Sequence, residues 1–151
     1  MRRSTWSIAP SHSSLNRRTS LNDMVDAQLF VNIAKTVFGG YSAMMLLMPK
    51  KMVTDHFKQE CDPMTEFWIR GSSVGFFGLV AAIHKMDLDD AVDMSLATVV
   101  ASALMYPFNA KFGLLSKNLP LKYDGFPNHY VPEVLMASVA ALGFFVKFIK
   151  K

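Results

Sequence analysis

The feature that most limits the fold of this chain is a series of four long apolar stretches separated by short polar segments. They cover roughly residues 29–48, 64–83, 91–109 and 131–149. A helix needs about 20 predominantly apolar residues to cross a bilayer. A membrane barrel would instead show strands of about ten residues with alternating hydrophobicity. We therefore predict an all-α fold, an antiparallel bundle of four transmembrane helices with an extended polar N-terminal arm.

The overall charge content agrees with a membrane protein. Charged residues make up 19% of the chain and hydrophobic residues 51%, whereas soluble domains carry about 25% charged residues. The net charge of +4 arises at helix ends and near the termini. Because the basic residues form no stripe interleaved with aromatic side chains, the charge does not indicate nucleic-acid binding.

The first 22 residues differ from the rest of the chain and define a separate arm. Segment 1–22 contains four arginines and many Ser/Thr residues, and the first acidic residue is Asp23. This composition is typical of an organellar transit peptide, although an uncleaved polar tail would look similar. A polar arm buries little apolar surface of its own, so we expect it to lie on a larger assembly. The transmembrane domain then comprises residues 23–151.

Small residues are placed within the apolar spans, where they predict close helix contacts. In membranes, glycine and alanine let neighbouring helices approach one another. The residues to which we assign helix packing on this basis are Gly39, Gly40, Gly71, Gly75, Gly78, Ala97 and Ala101.

Ionisable residues lie near the ends of the spans, with a cation and an anion on each side of the membrane. The topology allows pairs between Lys35 and Asp93, and between Arg70 and either Glu66 or Glu133. Glu66 and Arg70 are four residues apart and so meet on one helix face. Ionisable groups in spans usually pair or face the bundle interior, so we interpret these residues as structural ion pairs. The alternative is a polar pocket for a lipid headgroup, a quinone or a pigment, with Arg70 as its anion contact.

No grouping of residues predicts catalysis or a metal centre. The chain has one cysteine, Cys61, and its histidines lie in or beside polar segments. A haem held between helices requires histidines deep within them, and only His84, at the end of the second span, is a fair candidate for a pigment or haem ligand. The sequence therefore favours a non-catalytic protein over an enzyme.

The segment "EFWIRGSSVGFFG", which contains Glu66 and Arg70, resembles two families. It is similar to the chlorophyll-binding helix of light-harvesting proteins, with Ile69 where that motif has Asn or His. From about residue 28 to 149 the chain also resembles the DoxX-like group of small four-helix membrane proteins. That resemblance rests on a first helix ending in "LLMPKK" and on the Arg-Gly-led second helix "IRGSSVGFFGLVAAI". It implies a four-helix topology, with Arg70 and Gly71 as packing or pocket residues.

These features together predict an accessory or structural subunit of an organellar energy-transducing membrane complex, photosynthetic or respiratory. Its partners would be the membrane and other subunits of that complex. The location would be the plastid thylakoid or the mitochondrial inner membrane, and the candidate bound molecules are lipid, chlorophyll and carotenoid. The competing hypothesis is a small DoxX-like membrane enzyme or transporter with a polar pocket around Arg70.

Overall fold

The computed structural model describes residues 21–122 and 130–149, and helices dominate this part of the chain. The predicted arm therefore lies, up to residue 20, outside the described residues. The elements in chain order are α1 (Leu21–Leu47), α2 (Pro49–His56), α3 (Pro63–Lys85), α4 (Leu88–Met105), α5 (Pro107–Phe112) and α6 (Val131–Phe144), which continues as a π-helical turn (Phe145–Ile149).

The prediction of an all-α fold with four spans is confirmed. The segments long and apolar enough to cross a membrane are Asp26–Leu47, Pro63–Lys85, Leu88–Phe112 and Val131–Ile149. Each overlaps one predicted stretch, and α1 begins well upstream of residue 29, at Leu21. The described residues thus have the architecture of a membrane protein with four helical spans.

Proline determines where most of these helices begin. Pro49, Pro63, Pro107 and Pro132 each occupy the first or second position of a helix, where a missing N–H is not needed. At Pro107 the third span is interrupted, because α4 ends at Met105 and α5 starts at Pro107. A residue that precedes proline is disfavoured in the α conformation.

Helix α2 lies in the polar segment between the first two apolar stretches, where the sequence analysis predicted no helix. It buries Pro49 and Val53. Its end pairs with the loop after α5 through two backbone bonds, Lys58 N–H to Pro120 O at 2.6 Å and Lys122 N–H to His56 O at 2.9 Å. We call this end of the bundle the α2 side; the opposite end holds the α3–α4 turn.

The hydrophobic core lies mainly between α1, α4 and α6, and α3 contributes Ile83. Its largest fully buried members are Phe30, Ile83 and Val99. Helix α3 packs mainly on α1 and buries only Ser73 and Ile83. Most of the α3 surface therefore faces away from the other described helices.

The helix packing assigned to the small residues stays a prediction, because nothing in the described structure covers the glycines among them. Ala97 and Ala101 are exposed. A Cβ atom built on any of five glycines would meet nothing within 4 Å from elsewhere in the structure: Gly39, Gly40, Gly71, Gly75 and Gly78.

Among the described glycines, the one that packs the chain's own helices is Gly143, which the sequence analysis did not select. A Cβ atom there would lie 2.6 Å from Phe30 Cζ and 2.9 Å from Leu96 Cδ1. Gly143 thus sets the close approach of α6 to α1 and α4.

Candidate functional site

The structure brings Arg70 and Glu66 together and adds a partner that the sequence did not reveal. Arg70 donates from Nη2 to Glu66 Oε1 at 2.8 Å and from Nε to the same oxygen at 3.2 Å. It also donates from Nη1 to the carbonyl oxygen of Leu46 at 2.9 Å. The last four carbonyls of a helix lack partners within it, so Arg70 satisfies one of them at the end of α1.

This cluster links three helices on the α2 side. Lys50 Nζ, in the first turn of α2, lies 3.5 Å from Glu66 Oε2. A cation at a helix C-terminus also interacts favourably with the helix dipole. Arg70 pairs with Glu66 and not with Glu133, so the alternative pair considered from topology does not form. The cluster is therefore an architectural junction between α1, α2 and α3.

The polar segment next to this junction fixes the start of α3. Asp62 caps the helix, because its Oδ1 accepts from the Thr65 amide at 2.8 Å and its Oδ2 from the Thr65 hydroxyl at 2.9 Å. These bonds hold the pKa of Asp62 below its ordinary value of 3.8. Partial burial, with the nearby Glu66 and Asp62 carboxylates, raises the pKa of Cys61 above its ordinary 9.0.

The α1–α3 contact contains a second polar connection. Ser42 Oγ donates to the carbonyl oxygen of Ser73 at 2.6 Å, and Ser73 Oγ donates to that of Arg70 at 2.6 Å. Both serines are fully buried. A hydroxyl within an apolar span needs a hydrogen-bond partner, and that was the sequence signal that could have revealed this contact.

The predicted pair between Lys35 and Asp93 is wrong. Asp93 instead pairs with Lys147, which lies in the π-helical turn after α6. The start of α4 and the end of α6 lie at the same end of the antiparallel bundle, and these two helices pack directly on each other. The π-helical turn after α6 therefore supplies the cation.

The two described histidines, His56 and His84, lie at opposite ends of the bundle. His84 is exposed at the end of α3, and His12 and His129 lie outside the described residues. Within residues 21–122 and 130–149, no group of three His, Cys, Asp or Glu side chains is placed to hold a metal ion.

A half-open cavity of about 360 Å³ lies on the α2 side of the described part of the chain. The sequence analysis did not predict it. Its wall is mostly apolar, with four hydroxyl-bearing side chains. The lining residues are Val37, Phe38, Tyr41, Met45, Met52, Val53, Phe57, Ile69, Ser72, Phe76, Ser102, Tyr106, Pro107 and Met136.

Glu133 lies beside this cavity, in a small pocket of about 30 Å³. The pocket and the cavity share the residues Phe57, Tyr106 and Pro107. The Oε2 atom of Glu133 is buried and has no hydrogen-bond partner among the described residues, a property that it shares with Ser95 Oγ in the core. Buried polar atoms are nearly always hydrogen-bonded, so these two atoms are exceptions among the described residues.

The two features differ in what they can do. The Arg70 junction uses its charges to hold helices together, whereas the half-open cavity has a mostly apolar wall with a few hydroxyl groups. Ligand sites typically combine these properties. In comparisons with known proteins, no protein-family model, curated protein or solved structure matches this chain.

Proposed function

We propose that this chain is a non-catalytic accessory subunit of a larger membrane complex and packs through α3 against partner helices. The observation that carries the proposal is the outward glycine face of α3. Gly71, Gly75 and Gly78 are all exposed, and no other part of the structure covers them.

The position of these glycines on α3 supports a partner outside the chain. Successive residues of a helix turn by about 100°, so Gly71, Gly75, Gly78 and Ala82 lie along one face. Ser73, which contacts α1, lies on the opposite face. The glycine face therefore points away from the chain's own bundle.

The chemistry of the face favours a helix over lipid. Lipid tails pack on large apolar side chains as well as on small ones, and a glycine within a helix costs about 1 kcal/mol relative to alanine. Small residues contribute most where a neighbouring helix approaches closely. A partner helix would offset that cost through contacts that lipid does not provide.

The engagement of Arg70 supports the accessory function over the enzyme or transporter hypothesis. Its Nε, Nη1 and Nη2 atoms already donate to Glu66 and to the Leu46 carbonyl. Arg70 is also absent from the cavity lining, where its neighbours Ile69 and Ser72 are found.

We further propose that this complex lies in an organelle. The acid-free, Arg- and Ser-rich segment 1–22 supports an organelle, and we place the complex in an energy-transducing membrane, the plastid thylakoid or the mitochondrial inner membrane. Its other subunits and the surrounding lipids would be the partners.

Purification of the full chain from its native membrane in a mild detergent tests the proposal. The wild-type chain should migrate with a complex much larger than itself. Gly75→Leu should release the chain from that complex, because the new side chain occupies the space of the partner helix. Ala81→Leu is the matched control, since Ala81 is exposed about a quarter-turn away on α3, and this variant should stay bound.

Two outcomes would contradict the proposal. One is a wild-type chain that migrates alone as a monomer or dimer. The other is a Gly75→Leu variant that stays in the complex as firmly as Ala81→Leu. Circular dichroism of both variants shows whether each retains the wild-type helix content.

A further inference from the structure

We propose that α1 binds a transmembrane helix of a partner protein, and that this helix places an aspartate or glutamate carboxylate against Lys35. The binding surface is the polar face of α1, formed by Gln28, Asn32, Lys35 and Thr36. This surface lies on a different helix from the glycine face of α3. The inference shares with the proposed function only the premise that the chain has a partner in the membrane.

The polar face of α1 lies on the outside of the bundle. Successive residues of a helix turn by about 100°, so Gln28, Asn32 and Thr36 follow one side of α1, with Lys35 at the edge. The first three residues are exposed and Lys35 is half-buried. The residues that α1 buries in the core lie across the helix: Phe30, Ala34 and Phe38.

These polar residues lie inside the first apolar span, well away from its ends. The span is Asp26–Leu47, 22 residues long, so Asn32 is its seventh residue and Lys35 its tenth. Lysines near the ends of a span reach the interface with their long side chains, but Lys35 is close to the middle. The bilayer core has no water to satisfy polar groups, so an outward polar face at this depth needs a partner from another molecule.

The hydrogen-bonding groups left over on this face are mainly donors. Gln28 Nε2 donates to Asn32 Oδ1 at 3.1 Å, and Thr36 Oγ1 donates to the Asn32 carbonyl oxygen at 2.8 Å. The Asn32 Nδ2 group and the Lys35 Nζ group have no hydrogen bond or ion pair with any described residue. They are three positions apart and so share one helix face. A carboxylate has two acceptor oxygens, enough to receive both donors and to neutralise the lysine.

The described carboxylates of this chain do not supply that acceptor. Asp93, which the topology placed as a partner for Lys35, pairs with Lys147 instead. Glu66 and Glu133 lie at the α2 side, whereas Lys35 lies in the half of α1 nearer the α3–α4 turn. The missing anion therefore belongs to another molecule.

Charge also argues against two other occupants of the face. The N-terminal segment 1–22 contains no acidic residue, so it does not supply the anion. A symmetric dimer places the same surface of both copies together, and a dimer through this face would bring two Lys35 ammonium groups into contact. Like charges at an interface are unfavourable. A different protein whose helix carries an acid at this depth fits the face better.

Zero-length cross-linking in the native membrane tests the contact. Membranes that contain the full-length chain are treated with dicyclohexylcarbodiimide, which joins an amine and a carboxylate in direct contact through an amide bond and itself takes up the water released. Mass spectrometry of the digest then locates the linked residues. We expect Lys35 to be joined to an aspartate or glutamate within an apolar span of a different protein.

Variants test whether the charge holds the partner. Lys35→Met should reduce the fraction of the chain that co-purifies with the partner by about tenfold or more, because the partner's carboxylate loses its cation. Lys35→Arg should keep the partner but give no cross-link, because its guanidinium stays protonated and does not attack the activated carboxyl group. Lys85→Met is the matched control, since Lys85 is exposed at the end of α3, and it should behave like the wild type.

Cross-linking of the wild type needs no variant and can overturn the proposal by itself. The proposal fails if Lys35 is joined to this chain's own sequence, to a carboxylate outside an apolar span, or to nothing. It also fails if Lys35→Met, with wild-type helix content by circular dichroism, keeps the partner as firmly as Lys35→Arg.

These outcomes are separate from those for the glycine face of α3, because the cross-link forms before any detergent is added. Release of the chain by Gly75→Leu without a Lys35 cross-link would remove this inference and leave the proposed function in place. A Lys35 cross-link to another protein's span, in a chain that Gly75→Leu does not release, would do the opposite.

Discussion

Replacement of Gly143 by alanine should destabilise the bundle, although alanine is the better helix former. The added Cβ would lie 2.6 Å from Phe30 Cζ and 2.9 Å from Leu96 Cδ1, whereas carbon atoms in contact prefer about 3.5–4.0 Å. Phe30 is fully buried and has little room to retreat. We expect overpacking to lower the free energy of unfolding by about 1–3 kcal/mol. The higher helix propensity of alanine offsets about 1 kcal/mol of this loss.

A matched glycine removes the uncertainty in that gain. Gly75 lies in the interior of α3 with nothing within 4 Å of a Cβ atom, so Gly75→Ala has the propensity gain without the clash. The difference in unfolding free energy between the two variants should therefore equal the overpacking cost, about 1–3 kcal/mol. Reversible unfolding by SDS in mixed micelles, followed by circular dichroism, measures this difference on the purified chain.

A second change tests the identity of the clash. Phe30→Leu removes the ring atoms nearest to residue 143, so Gly143→Ala should cost less in that background than in the wild type. The reasoning is refuted if Gly143→Ala is as stable as Gly75→Ala, or if Phe30→Leu gives no relief.

Two further predictions concern charged groups. A double-mutant cycle between Asp93→Asn and Lys147→Met should give a coupling in unfolding free energy of about 0.2–1 kcal/mol, and this coupling should weaken with salt. The same cycle between Asp93→Asn and Lys35→Met should give none. A larger coupling to Lys35 than to Lys147 would contradict the structure. Because the bonds from Thr65 lower the pKa of Asp62, the contribution of this cap is complete above the ordinary value of 3.8 and is lost as the pH falls through the lower folded value. In acid, the backbone amides at the start of α3 should therefore lose protection from hydrogen exchange in the wild type. The loss should be smaller in Asp62→Asn, because asparagine keeps an acceptor that does not titrate. Equal losses in the two proteins would count against the cap.

The helices were predictable because their signals are local. The length of each apolar run fixes a span, and prolines such as Pro63 and Pro107 mark where helices begin. Helix α2 was missed because it has only eight residues (Pro49–His56) and is polar enough to resemble a loop. Its helical state is supported by the burial of Val53 and by pairing with the loop after α5, which are tertiary contacts.

The site residues show the same division. Glu66 and Arg70 are one helical turn apart, so their meeting follows from spacing alone. The Leu46 carbonyl that Arg70 binds lies 24 residues away, and the relative position of α1 and α3 decides that contact. In the same way, Lys147 competes with Lys35 for Asp93 only once α6 is placed beside α4.

The sequence by itself determined that this chain forms four apolar helices, where proline and the Asp62 cap begin them, and which charges meet within one helix. Only the tertiary structure decided which face of each helix is buried. Apolar residues surround α1, α4 and α6 almost uniformly, so the pattern carries little information on how a helix is rotated about its axis. That rotation places Gly143 in the core, turns Gly71, Gly75 and Gly78 outward, and leaves the cavity beside Glu133.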